Sequence, residues 1–236
     1  MTPAVPPAGP APGASSEPAA TATAPAPAVG LRQLKKQQTR TLLSDTAMGL
    51  FAERGFDRVT VAEVARAAGV SANTVFNYFP TKEDLFFDRQ DEVVAHLAHV
   101  VRQRPAGSPA VDAVRADLLA GLAEGEPTYG LSTEATVFWR MIAESPALQA
   151  RLLELGERAE AALAEALAEE SGAEPDDPLP RLLAGALAGA HRAVLAEIRR
   201  GIVAGEPVAV VRTRVETAAA AAFGLLRAGL ADYPAP

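Results

Sequence analysis

Hydrogen-bonding side chains are concentrated in the stretch SANTVFNYF, residues 71–79, which contains no charged residue. On a helical wheel of 100° per residue its polar side chains fall within an arc of about 160°. These side chains are Ser71, Asn73, Thr74, Asn77 and Tyr78. The apolar residues, Phe76 among them, fall in an opposite arc of about 100°. The stretch therefore predicts a short helix that docks its apolar side and exposes a face of amides and hydroxyls.

Local signals place this stretch as the second helix of a helix-turn-helix. Thr60 followed by Glu63 predicts a capping box that starts one helix, and Gly69 predicts its end. Ser71 then predicts the cap of the next helix, which Pro80 ends. A short helix that presents amides can enter a DNA groove, because asparagine bonds an adenine edge bidentately.

A basic cluster lies just upstream of these helices, with no acidic residue between positions 31 and 40. It consists of Arg32, Lys35, Lys36 and Arg40. Residues 31–90 carry 9 Lys and Arg against 7 Asp and Glu, a balance of +2, although the whole chain has a net charge of −7. This asymmetry favours one part of the chain facing a polyanion. The alternative is an ordinary amphipathic helix pair whose polar side and basic end are only solvated.

Composition and periodicity bound the fold class. The chain has 236 residues, of which 49% are hydrophobic, and no cysteine, so disulfides are excluded and a reducing cytoplasm is expected. No apolar run is long and charge-free enough to span a bilayer, and we predict no membrane association. From residue 31 onward the apolar spacing is helical, with a first helix over 33–54 that buries Leu42, Leu43 and Phe51. We predict an all-α protein.

The segment from Leu42 to Phe86 is similar to the N-terminal DNA-binding domain of the TetR, or tetracycline-repressor, family of bacterial regulators. The matching motifs are FAERGF, VTVAEVARAAGVS, T-V-F-x-Y-F and P-T-K-E-D-L. The resemblance implies an N-terminal three-helix domain with a helix-turn-helix at 31–88 and a larger helical effector-binding and dimerisation domain at 89–232. Residues 1–30 are rich in Pro and Ala, which predicts a disordered tail. The alternative is that the start codon has been assigned too far upstream.

The resemblance also implies roles for single residues. By position, Asn73, Thr74, Asn77 and Tyr78 resemble base- and phosphate-contacting residues, while Thr60 and Lys82 resemble phosphate contacts. Ser71 lies at the start of the same helix, and the basic cluster at 32–40 resembles extensions that reach the minor groove or the backbone. Phe76 departs from the tyrosine often found at its position, and packing is the expected role of its ring. Asn77 replaces a larger residue, so the operator of a relative cannot be transferred.

The function that the resemblance implies is a homodimeric repressor, released from a palindromic operator in double-stranded DNA by a small-molecule effector. The small-residue helices expected at 179–203 and 207–230 suit a helix–helix dimer interface. Candidate effector contacts are Phe138, Trp139, Arg140 and Met141, for a hydrophobic or acyl-type ligand, although plain core is the alternative for this group. A DNA-binding architectural protein without an effector is the alternative function.

Two other kinds of site were weighed against this interpretation. Asp88, Glu92, His96 and His99 fall within about 80° on a helical wheel, but the set lacks a tight His-x₃-His pair and a strong fourth ligand. We therefore predict no metal and no cofactor. The sequence also has no Gly-x-Ser-x-Gly elbow and no phosphate-binding glycine loop, and we predict that the protein is not an enzyme.

Overall fold

The structure is a computed structural model, and it describes residues 30–229 of the chain. The predicted tail therefore lies outside the described residues except for Gly30. Ten α-helices and two 3₁₀ turns, at Phe56–Arg58 and Pro127–Tyr129, make up the described part, which contains no strand. The helices are α1 (Leu31–Arg54), α2 (Val61–Ala67), α3 (Ala72–Tyr78), α4 (Lys82–Phe86), α5 (Gln90–Gln103), α6 (Ala110–Glu124), α7 (Ala135–Glu144), α8 (Pro146–Ser171), α9 (Leu179–Val203) and α10 (Val208–Gly229). The all-α fold class is confirmed.

Helices α1 to α4 form a small unit around a phenylalanine-rich core. Phe51, Phe56 and Phe86 pack against one another, with ring centroids between 4.9 and 6.3 Å apart. Val75 and Phe79 from α3 are also fully buried in this core. Aromatic clusters of this kind bury a large apolar area for few residues, which is how four short helices hold together.

The turns of this unit follow the predicted caps. Thr60 and Glu63 form a capping box at the start of α2, and the Ser71 side chain accepts the Thr74 amide at the start of α3. Gly69 has a φ of +70°, and the Val70 amide donates to the Ala65 carbonyl at 2.9 Å, which closes α2 with a Schellman motif. The helix-turn-helix is therefore present as predicted, because its boundaries are set by local chemistry.

The larger unit is formed by α5 to α10. Helix α8 packs against both α5 and α9, and α10 packs against α9 and α6. Its core is mainly aliphatic and includes Leu118, Leu163, Leu187 and Ile198, all nearly inaccessible to solvent. Within residues 30–229 no helix has both the length and the apolar character needed to cross a lipid bilayer.

Helices α7 and α8 join the larger unit to the smaller one. Phe138 on α7 stacks on Phe86 of α4, with ring centroids 4.6 Å apart and planes inclined by 13°. Arg151 on α8 forms an ion pair with Asp84 at 2.7 Å and also donates to Gln90 at 2.7 Å. Ser145, the N-cap of α8, donates to Asp57 at 2.8 Å. Helices α7 and α8 therefore contact the smaller unit through a stacked ring pair, an ion pair and hydrogen bonds.

Two details differ from the predictions. Leu42 was placed in the buried stripe of α1, but it is 51% exposed, whereas Leu43, Ala47 and Phe51 are fully buried. The helical wheel drawn for Asp88, Glu92, His96 and His99 treats them as one helix, but α4 ends at Phe86 and α5 starts separately at Gln90, so Asp88 lies between the two. The break occurs because Asp84 and Gln90 both bind Arg151 of α8, so that tertiary contacts divide a segment that local propensity would continue.

Candidate nucleic-acid interface

The exposed face of α3 is formed by Asn73, Phe76 and Asn77, which are spaced i, i+3 and i+4. Val75 and Phe79 lie on the opposite side and are buried. The expectation that Phe76 packs in the apolar arc is wrong, because its side chain is 47% exposed. Its wheel position is at the edge of that arc, and the core beneath α3 is already filled by Val75 and Phe79. The two amides and one aromatic ring therefore share one uncharged surface.

Two hydroxyls lie at the N-terminal end of this surface. Ser71 and Thr74 share a hydrogen bond of 2.8 Å between their side-chain oxygens, and the Ser71 oxygen also accepts the Thr74 amide at 3.0 Å. Ser71 is exposed and Thr74 is half-buried. These contacts cap the first turn of α3, the turn that contains Asn73.

Thr60 lies at the start of α2 and is exposed. Its hydroxyl donates to Glu63 at 2.8 Å, and its amide donates to the same carboxylate at 2.9 Å. The Thr60 amide, together with Arg54, lowers the pKa of Glu63 to about 2. Glu63 therefore stays ionised at neutral pH and keeps the N-terminus of α2 capped, with Thr60 at the surface.

Arg40 has an internal set of contacts that was not predicted. Its guanidinium donates to the Tyr78 carbonyl at 3.1 Å and to the Asp88 carbonyl at 2.9 Å. It also lies 4.3 Å from the centre of the Phe79 ring. Arg40 thus ties α1 to the C-terminal end of α3 and to the start of α5. This positions α3, and DNA contact by Arg40 remains a prediction.

Lys82 is likewise engaged within the chain. Its ammonium donates to the carbonyls of Phe56 and Val59 at 3.1 and 3.3 Å and lies 4.1 Å from the centre of the Phe56 ring. An ammonium group has three N–H donors, so one remains for a phosphate. Lys82 therefore fixes the turn before α2 against α4, and its phosphate contact stays a prediction.

The rest of the basic cluster extends along the first turns of α1, where Arg32, Lys35 and Lys36 are all exposed. The predicted extension is therefore helical from Leu31 onward. Tyr78, the last residue of α3, is half-buried and packs partly against the core. Together with α3, these residues give the small unit one basic end and one neutral, hydrogen-bonding face.

The four candidate effector residues on α7 are not brought together into one lining. Trp139 and Met141 are each 7% exposed, and the Trp139 indole donates to the Gly130 carbonyl at 3.1 Å. Phe138 packs into the junction against Phe86, and Arg140 is exposed on the outer side of α7. These residues were grouped because they are adjacent in the sequence, but the face that each one occupies depends on how α7 sits between the two units.

A polar cluster inside the larger unit was not predicted as such. His96 pairs with Asp117 at 2.7 Å, and Tyr129 donates to the same carboxylate at 3.4 Å. His191 lies beside them, 8% exposed, with its Nε2 buried and unpartnered among the described residues. The Asp117 hydrogen bond raises the pKa of His96, whereas burial lowers the pKa of His191 to about 4.

The residues weighed as a metal site do not assemble. Asp88 precedes α5, Glu92 pairs with Arg89 at 2.8 Å, and His99 is exposed. Within residues 30–229, no group of three or more His, Asp or Glu side chains is arranged to hold a metal ion.

The fold and this interface define a helix-turn-helix protein of the regulator type, and comparison with known proteins gives its family. Residues 43–88 match the family model described as bacterial regulatory proteins, TetR family. Residues 108–202 match the model described as the MftR C-terminal domain. The chain belongs to the TetR family of bacterial transcriptional regulators.

Two curated proteins and one solved structure illustrate what the chain is similar to. The transcriptional regulator TcmR of Streptomyces glaucescens is 28% identical over 172 residues, which cover 71% of this chain and 76% of TcmR. The regulator LuxR of Vibrio harveyi is 48% identical over 77 residues, a third of each chain. The solved structure of the fatty acid degradation regulator FadR from Bacillus halodurans has a TM-score of 0.49 and 16% identity, covering 78% of this chain and 97% of that one. TcmR and LuxR are both described as helix-turn-helix transcriptional regulators.

Proposed function

We propose that this regulator is a homodimeric, ligand-responsive repressor that binds a palindromic operator through α3. The observation that carries the proposal is the exposed face of α3, which holds two amides and no charge. An ordinary surface helix would carry Glu and Lys there. Neutral hydrogen-bonding groups instead suit base edges, which present donors and acceptors in the major groove. The proposed DNA-binding unit is 31–88, and the effector and dimer unit is 89–232.

Base contacts and phosphate contacts divide along the interface in this proposal. Asn73 and Asn77 read base edges. Phosphate contacts come from the hydroxyls and basic groups that surround α3, which fix the register without reading sequence. These groups are Thr60, Ser71, Thr74, Tyr78, Lys82, Arg32, Lys35, Lys36 and Arg40.

Dimerisation is assigned to α9 and α10. Leu182 and Leu225 are 66% and 77% exposed, and these helices are rich in alanine and glycine, which permits close helix approach.

Leu182→Glu and Leu225→Glu should each shift the protein from dimer to monomer in sedimentation velocity. Leu153→Glu is the matched control, because Leu153 is 72% exposed but lies on α8. Loss of the dimer in the control alone would contradict this assignment.

The effector acts on α7 in this proposal, where the predicted residues Phe138, Trp139, Arg140 and Met141 lie. Phe138 stacks on Phe86, and Phe86 belongs to the core that supports α3. A hydrophobic ligand that inserts beside Trp139 and displaces Phe138 would move the α3 helices of the dimer relative to each other. A ligand can shift that equilibrium only by its difference in affinity for the two arrangements.

Selection of bound fragments from the native genome with the purified full chain tests the function. We expect enrichment of one palindromic site, then release of that site by members of a small-molecule library rich in hydrophobic compounds. Enrichment without any release would favour the alternative, an architectural or constitutive DNA-binding protein. Failure to enrich any palindrome would overturn the specific repressor.

A further inference from the structure

Phe76 is the one phenylalanine of the described chain whose side chain is exposed. Six others are at most 9% exposed, and Phe138 is half-buried against Phe86 and Phe87. A fully buried phenylalanine stabilises a fold by about 1.5–3 kcal/mol relative to an exposed one, so the exposed ring forgoes much of this gain. Its apolar area is available to whatever covers α3.

The surroundings of the ring restrict what that partner can be. Phe76 lies between Asn73 and Asn77 on the face of α3, and residues 71–79 contain no charged side chain. Residues 71–79 offer no cation to a phosphate at this position, and a phenylalanine has no hydroxyl to donate to it. The edge of a thymine carries an apolar C5-methyl group in the major groove, and aromatic side chains make apolar contact with it.

We propose that Phe76 is a specificity-determining residue that contacts a thymine methyl group in each half-site of the operator. The inference rests on the proposed function, since it requires α3 to enter the major groove. Asn73 and Asn77 then recognise hydrogen-bonding edges on either side, and the ring between them selects a base by its methyl group. The recognition face thus combines polar readout with apolar readout on a single helix turn.

Replacement of thymine by deoxyuridine tests this contact, because it removes only the C5-methyl group. Each thymine of the selected operator is replaced in turn, symmetrically in both half-sites, and the dissociation constant is measured by fluorescence anisotropy at fixed salt. For the wild-type protein, we expect one position at which the replacement weakens binding about fourfold per methyl group, the value of burying one methylene-sized group. Replacements outside the site should have no effect.

Two variants decide whether Phe76 is responsible. Phe76→Ala should weaken binding to the thymine operator and make the thymine and deoxyuridine operators equivalent. Phe76→Tyr keeps the ring and should keep the discrimination. An unchanged thymine preference in Phe76→Ala would overturn the proposal, as would a wild-type protein that ignores every deoxyuridine replacement. A change of oligomeric state in Phe76→Ala would instead assign the ring to protein association.

The outcomes also separate this inference from the function beneath it. If no palindromic site is enriched in the first place, the repressor function itself fails. If a site is bound with nanomolar affinity but without methyl dependence, only the role of Phe76 fails. Thermal unfolding of both variants should match the wild-type protein, since the side chain is 47% exposed and contributes little to the core.

Discussion

Asn73 is exposed in the first turn of α3, which Ser71 caps by accepting the Thr74 amide. We expect Asn73→Ala to relax base preference at one operator position, at a cost of about 1–3 kcal/mol in discrimination. Binding to every operator variant at that position, measured side by side, gives the result. Asn77→Ala is the matched control and should relax a different position. A uniform loss of affinity across all sequences would assign Asn73 to the phosphate backbone.

His191 gives the larger unit a pH dependence whose direction follows from burial. Its folded pKa of about 4 lies below the usual value of 6.5, so the unfolded chain binds more protons between these values. Stability from this group is therefore complete above pH 6.5 and is lost as the pH falls toward 4. From pH 7 to pH 5 we expect the unfolding free energy of the wild-type protein to fall by about 2 kcal/mol. The His191→Leu variant should not show this decrease.

The groups that face His191 come from three other parts of the fold and from α9 itself. They are His96, Asp117, Tyr129 and Arg192. His96 acts in the opposite direction, because Asp117 raises its pKa, and its contribution is lost as the pH rises. Urea unfolding at fixed protein concentration should therefore be compared between His191→Leu and His99→Gln, an exposed histidine. An identical pH profile for the two variants would rule out the assignment to His191.

At the scale of elements, Arg40 is the residue that fixes α3 against α1. Removing its guanidinium leaves the Tyr78 and Asp88 carbonyls without this donor, and each unsatisfied group costs about 1–3 kcal/mol if it stays buried. We expect Arg40→Met to lower both the melting temperature and the affinity for DNA. Lysine carries the charge of arginine but not its planar set of N–H donors. If Arg40 acts by positioning α3, Arg40→Lys should therefore have the same low melting temperature and DNA affinity as Arg40→Met.

Arg32→Met is the control for this prediction, because Arg32 is exposed on the same helix. It should leave the melting temperature unchanged. Full recovery of affinity by Arg40→Lys would show that the charge of Arg40, rather than its hydrogen bonds, is what binding needs.

The element boundaries of the small unit were predictable where side chains act on the backbone next to them. Thr60, Ser71 and Thr81 each cap a helix by accepting the amide three residues further along. Because both partners lie so close in the chain, such contacts can be predicted from the local sequence. The exposure of Phe76 and Leu42 was not predictable, because a helical wheel gives the side of a helix but not the capacity of the core beneath it. The early end of α4 and the hydrogen bonds of Arg40 to Tyr78 and Asp88 depend on partners 38 to 67 residues away in the chain.

For the whole molecule, charge sets how binding responds to salt. The chain has a net charge of −7, so contact with DNA depends on a local surplus of cations such as Lys35 and Lys36. We expect the double variant Lys35→Gln, Lys36→Gln to weaken binding to specific and random DNA alike. The slope of log affinity against log salt should fall by up to about 0.9 for each lysine that contacts a phosphate.

Arg102→Gln combined with Arg158→Gln removes the same charge from exposed sites on α5 and α8, away from the proposed dimer helices. This control should leave the salt slope unchanged. If both double variants lower the slope equally, the overall charge rather than the basic end of α1 would govern binding.

The separation of the neutral α3 face from the basic end of α1 has a consequence for how such a regulator diverges over generations. In the function proposed above, charge governs residence on random DNA, whereas the side chains Asn73, Phe76 and Asn77 govern the choice of site. Substitutions at these exposed positions can change the target while leaving the speed of the genome search untouched. After duplication of its gene, a copy could therefore acquire a new set of target genes while it keeps its non-specific affinity for DNA.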